Sequence, residues 1–201
     1  MPENAKKPQI RFKGFTDAWE QRKLSTLCDN FSDGDWIEAK DQSNLGVRLI
    51  QTGNIGVTEY IDKPNSKKWI SNNTFTKLHC NEVYPGDILI SRLPEPAGRA
   101  CIVPDLGIRM ITAVDCTIVR VSEKNNNKFL VQYLSSQKYF NEVNVCLAGG
   151  TRQRISRSQL AIFNVLLPIA KCEQDAIGEF FCNLDNLITL HQRECFLHKE
   201  V

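Results

Sequence analysis

The 201-residue sequence predicts an α+β fold: a mixed α/β body with a β-rich core, followed by one long C-terminal helix. Three observations carry that reading. From about Val47 to Val121, short apolar runs rich in β-branched residues alternate with Gly, Pro, Asn and Asp. From about Asn127 to Cys146 the apolar period lengthens to that of a helix. After Pro168 a single amphipathic stretch runs almost to the end. The chain is therefore divided into residues 1–168 and 169–201.

Residues 1 to about 10 are polar and are read as a loose tail. In R-F-K-G-F-T-D-A-W-E-Q-R-K-L, Thr16 or Asp17 is placed to cap a short helical turn that buries Trp19. V-R-L-I-Q-T, I-L-I-S, A-C-I-V and C-T-I-V-R-V then read as strands joined by several hairpins. Phe129, Leu130, Tyr133, Leu134, Phe140 and Val143 recur at helical steps, and Gly149-Gly150 is read as the stop of that helix. A short element over residues 156–161 and a strand over 163–167 close the body. In the last helix, residues 172–198, Ile177, Phe181, Leu184, Leu187 and Ile188 form one apolar stripe; its 27 residues span about 40 Å. Such a face outruns a single small body, so the stripe predicts self-association or a partner helix.

The bulk numbers exclude several classes. The net charge is only +2, so any contact with phosphate must come from a local patch. The eight cysteines are scattered without a C-x-x-C pair, the start lacks an apolar leader, and no apolar run is long enough to cross a membrane. These features predict a cytoplasmic chain whose reduced cysteines fill the interior. A glycine-rich cofactor loop, an N-P-P-F-like motif and a P-loop are all missing. Glu38-Ala39-Lys40 is the one carboxylate–lysine arrangement with a nuclease flavour, and Asp33 and Asp35 lie too close upstream to sit on a separate strand. His191, Cys195 and His198 share one helix face at metal-ligand spacing, but are read as semi-polar heptad positions. No catalytic, metal or cofactor site is expected.

Recognition chemistry is present instead. Between Val143 and Cys172 stand Arg152, Arg154, Arg157 and Lys171 with no acidic residue. Gly150, Thr151, Arg152, Gln153 and Arg154 form the densest polar set: arginine forks onto guanine or phosphate, glutamine pairs with adenine, and glycine permits close approach. An ordinary solvated basic loop is the alternative. Arg92 and Arg99 flank a proline-stiffened loop suited to entering a groove, and Lys67 and Lys68 precede Trp69.

Four segments, R-F-K-G-F-T-D-A-W-E-Q-R-K-L-S-T-L at 11–27, P-G-D-I-L-I-S-R at 85–92 with G-R-A-C-I-V at 98–103, G-G-T-R-Q-R-I at 149–155 and L-L-P-I-A-K-C-E-Q-D-A-I at 166–177, together resemble the specificity subunits of type I restriction–modification systems. The resemblance implies a DNA target-recognition domain over residues 1–168 and a spacer helix over 169–201. Family members usually carry two such halves with their helices packed as an antiparallel coiled coil, whereas this chain holds one. A homodimer through the helix would restore the pair and place two half-sites about one DNA turn apart. The resemblance further implies a non-catalytic subunit that binds double-stranded DNA and directs methyltransferase subunits, which themselves hold S-adenosylmethionine, and a restriction subunit. The competing expectations are a coiled-coil assembly module without DNA contact and a metal-dependent nuclease acting through Glu38 and Lys40.

Overall fold

The structure, a computed structural model, describes residues 8–149 and 153–197, with side chains to residue 192. Among the described residues, ten strands fall into three sheets. Strands β1 (Glu20–Lys23) and β10 (Asn164–Leu167) pair antiparallel, joining the two ends of the body. Strands β2 (Cys28–Asp33), β9 (Cys116–Val121), β6 (Ile88–Ser91) and β7 (Ala100–Ile102) form an antiparallel sheet in that order. Strands β3 (Gln42–Ser43), β5 (Lys68–Ile70), β4 (Val47–Ile50) and β8 (Met110–Thr112) form another, with β4 and β8 parallel.

Alternation along β6 explains why its sequence is a continuous apolar run. Ile88 and Ile90 point into one hydrophobic cluster beneath the helices, while Leu89 points into a second one with Cys101, Cys116 and Ile118. Both faces of the strand are covered, so no polar residue interrupts it. Cys101 and Cys116 behave there as small hydrophobes, and burial pushes each thiol up to about 12. All the cysteines whose side chains are described are free.

Five helices cover the sheets: α1 (Asn72–Lys77), α2 (Asn127–Tyr133), α3 (Gln137–Val145), α4 (Arg157–Ile162) and α5 (Lys171–Leu197). The predicted helix over residues 127–146 is two helices. Ser136 accepts from the backbone N–H of Tyr139 and caps a new start, so the chain turns at 134–136. The second helix already ends at Val145, before the glycine pair expected to stop it. The expected helical turn at Thr16–Trp19 is also replaced: residues 16–19 are irregular, because the chain is heading into the β1 ladder. Trp19 is nonetheless half-buried, edge-on to Phe129 with ring centroids 6.0 Å apart.

Helix α5 starts under a clamp from the N-terminal segment. Glu173 is buried and takes two bonds from Arg11, at 2.6 and 2.7 Å, and one from the Trp19 indole at 3.2 Å. The helix then lies along α2. The Asn126 backbone N–H donates to the Gln174 side chain at 2.9 Å, its side chain donates to Asp175 at 2.6 Å, and Gln132 donates to Asp185 at 2.7 Å. Gly178 permits this approach, since a Cβ there would lie 2.7 Å from the backbone nitrogen of Phe129. Among the described residues, no helix is long and apolar enough to cross a membrane.

Candidate nucleic-acid interface

The segment rich in arginine is closed off by a hairpin bridge between its two ends. Ala148 and Arg154 exchange both backbone hydrogen bonds, at 2.9 and 3.1 Å, and the Ile155 N–H donates to the Arg92 carbonyl at 3.1 Å. Ile155 is fully buried in the main core and anchors the hairpin's return arm. Gln153 and Arg154 are exposed. Gly150, Thr151 and Arg152 lie outside the described residues.

The absence of acids along this stretch of chain does not carry over into space. Asp33, at the end of β2, lies 3.3 Å from Arg157 and 3.6 Å from Arg92, and Asp115 lies 3.8 Å from Arg154. Arg157 also donates to the Phe31 carbonyl at 3.2 Å. Among the described residues, Arg92, Arg154 and Arg157 are therefore each partly compensated by a carboxylate from a distant segment. Arg154 still exposes 62% of its side chain, so it keeps donors for a ligand.

Arg92 and Arg99 do not form the expected groove-entering loop. Arg92 is buried and donates to the Val114 carbonyl. Arg99 donates to the carbonyls of Ile55, Leu93, Pro96 and Thr52 at 2.7 to 3.0 Å. Backbone carbonyls in this turn-rich region lack ladder partners, and a five-donor fork satisfies several at once. Both side chains hold the loop together from within. Lys67 pairs with Asp62 at 3.2 Å and Lys68 sits on β5. Neither of these lysines lines the cleft beside the hairpin.

That cleft, of about 790 Å³, brings together residues from four separate stretches: Trp36, Leu93, Asp115, and a run that holds Gly149, Arg154 and Gln159. Trp36 is 71% exposed, yet the backbone just before it is held by hydrogen bonds. The Gly34 N–H donates to the Cys116 carbonyl at 2.9 Å and the Asp35 N–H to Thr112 at 2.8 Å. A Cβ on Gly34 would lie 2.4 Å from two carbonyl oxygens, so only glycine fits against β8. The Asp35 carboxylate takes two bonds from Asn81 at 3.0 Å; burial raises its pKa, and those bonds oppose the rise. Trp36, Asp115 and Gln159 escaped sequence reasoning because they lie far apart in the chain.

Glu38 and Lys40 pair with each other at 2.7 Å on the surface. The ammonium, and then the Trp36 indole, hold the Glu38 carboxyl below its usual range. Among the described residues, no group of three or more His, Cys, Asp or Glu is arranged to hold a metal ion. Cys195 and His198 lie outside the described side chains.

On α5, Phe181, Leu184, Leu187 and Ile188 are between 37% and 62% exposed. Ile177, expected in the same stripe, packs instead against the body's core, so the free part of the stripe begins one turn later.

Comparison with known proteins places these features in one family. The chain is similar over residues 16–195 to the type I restriction modification DNA specificity domain. Among solved structures, a chain from a type I R-M system, studied for complex assembly and conformational transition, superposes with a TM-score of 0.66 at 18% identity, covering 90% of this chain and 42% of that one. The HsdS subunit from Thermoanaerobacter tengcongensis gives 0.63 at 18% identity, covering 90% and 41%. The type I restriction–modification S subunit from M. genitalium gives 0.60 at 17%, covering 92% and 46%. The chain thus spans less than half the length of these proteins, and no curated protein matches it. With the family match running from the body through α5, the chain belongs to the type I restriction–modification DNA specificity domain family.

Proposed function

We propose that this chain reads a DNA sequence as one target-recognition half of a type I specificity subunit, and that α5 positions a second half. The match over residues 16–195, continuous from the body into α5, carries the reading. The hairpin at Ala148–Arg154 contacts the duplex, with Arg154 and Gln153 exposed for it and Arg157 beside it. The chain contributes recognition and no catalytic group. Methyltransferase subunits, holding S-adenosylmethionine, modify the site, and a restriction subunit docks on the same assembly.

The apolar stripe from Phe181 to Ile188 supports the role given to α5. Packed antiparallel against the same stripe of a second copy, helices of 27 residues, about 40 Å long, set two recognition domains roughly one turn of DNA apart. Two-fold symmetry then makes the recognised site a split palindrome.

A gel-shift salt series with the full chain and its methyltransferase subunits tests the DNA role. Binding falls steeply with salt, and Arg154→Ala weakens it and lowers the slope by about 1. An unchanged affinity and slope for Arg154→Ala would remove the hairpin from the interface. The exposed stripe also suits an assembly module; indifference to DNA at low salt together with tight protein association would establish that instead.

A further inference from the structure

The cleft beside the hairpin contains groups that distinguish phosphate chemistry from base chemistry. A site for phosphate alone gathers cations and N–H donors, and a carboxylate within it repels the ligand. Here Asp115 lines the cleft together with Arg154 and Gln159. Base edges offer both donors and acceptors: the cytosine amine donates to a carboxylate, guanine accepts from arginine, and adenine pairs with a glutamine amide. The mixture fits base edges and does not fit a phosphate cradle.

Trp36 adds an apolar surface to the same cleft. A ring 71% exposed would ordinarily find cover in the body. This one is held out on a backbone fixed through Gly34, Asp35 and Asn81. Pre-positioning of this kind lowers the ordering cost when a ligand arrives. In a duplex the base faces are covered by stacking, and an apolar ring reaches the thymine methyl group at a base edge in the major groove.

We propose that Trp36, Asp115, Arg154 and Gln159 form a base-reading cleft in which the Trp36 indole packs against a base of the duplex. The inference rests on the DNA-reading function above and assigns sequence discrimination to a residue more than a hundred positions from the arginine hairpin.

Selection from a duplex pool with randomised central positions, using the full chain with its methyltransferase subunits, tests it. The wild-type chain enriches a motif; Trp36→Ala loses base preference at one or two adjacent positions of that motif. It binds the selected duplex about tenfold more weakly with an unchanged salt slope, and Trp36→Phe retains most of the preference. The selected duplex quenches indole emission of the wild-type chain, and this quench disappears in Trp36→Phe, which keeps Trp19 and Trp69. An identical motif and affinity for Trp36→Ala overturns the base-reading cleft while leaving the DNA-reading function standing. Emission that responds to the methyltransferase subunits and not to DNA also overturns it, and marks Trp36 as a protein contact. Failure of the wild-type chain to enrich any motif overturns the DNA-reading function itself.

Discussion

The two faces of α5 reverse the usual arrangement of a surface helix. Apart from Ile177, which packs on the core, the face turned to the body is small and polar: Gln174, Gly178, Cys182 and Asp185 recur along it, and Asn126 and Gln132 bond to it. The rest of its surface carries Phe181, Leu184, Leu187 and Ile188, with Ile188 at the rim of the groove it shares with Cys182 and Asp185. An isolated domain normally buries its apolar stripe and wets the other side. Here hydrogen bonds and one close glycine contact fix the direction of the helix, and the exposed apolar residues are those that the proposed pairing of two copies would bury. Direction and association are thus assigned to different residues, and substitutions should separate them.

The strongest separation comes from the outer face. Complete burial of a Leu or Ile side chain contributes about 1.5–3 kcal/mol, so Leu184→Asp with Ile188→Asp is expected to weaken association at least roughly 100-fold. Light scattering should then report the monomer mass at concentrations where the proposed dimer of the wild-type chain forms. Circular dichroism of the body should stay unchanged, because neither residue belongs to its core clusters. An unchanged mass would mean that the stripe serves another partner.

The inner face predicts the opposite outcome. Gly178→Val places methyl groups where a Cβ alone already lies 2.7 Å from the Phe129 nitrogen and 2.9 Å from the Lys128 side chain. A backbone nitrogen in a capped helix cannot yield cheaply, and overpacking of this kind costs about 1–3 kcal/mol. Chemical denaturation should show that loss while the association mass is retained. Gly178→Ala should come out closer to neutral, since the helix gains about 1 kcal/mol on replacing glycine. If valine costs nothing, the close packing of α5 on α2 is not what orients the helix.

The outer face was legible in the sequence and the inner one was not, for a physical reason. Hydrophobic periodicity is a local signal, so Phe181, Leu184 and Ile188 announce a stripe by spacing alone. What Gly178 or Asn126 does depends on a partner about fifty residues away. The same limit governs the recognition site. The strand-rich stretch and the short element before β10 were visible, whereas the basic segment was read as a loop and the bridge between Ala148 and Arg154 was not foreseen. Asp33 and Asp115, which balance Arg157 and Arg154, approach only through β2 and β9. Arg92 and Arg99 carried the signature of a binding loop because sequence cannot show that their donors are taken by carbonyls. Trp36 was silent for a related reason: exposure of an aromatic ring is visible only once the fold is in place.

The smallest test concerns pH and again divides the faces. Asp175 joins Lys171, at 2.8 Å, to the Asn126 cap of α2, at 2.6 Å. The bond from Lys171 lowers its pKa below the ordinary value of 3.8, burial opposes that, and Asn126 reinforces it. A carboxyl with a depressed folded value binds its proton more readily in the unfolded chain. Its contribution is therefore fully present above 3.8, and is lost as the pH falls through the lower folded value. The group is nearly half exposed, so solvent screening holds the effect to about 0.5 kcal/mol or less. The difference in stability between the wild-type chain and Asp175→Asn should vanish at the acid end of a denaturation series run downward from pH 5 and be largest at its start. A difference that stays constant across the series would show that the Asp175→Asn change removes packing rather than charge, and that the joint between α5 and α2 depends on shape alone.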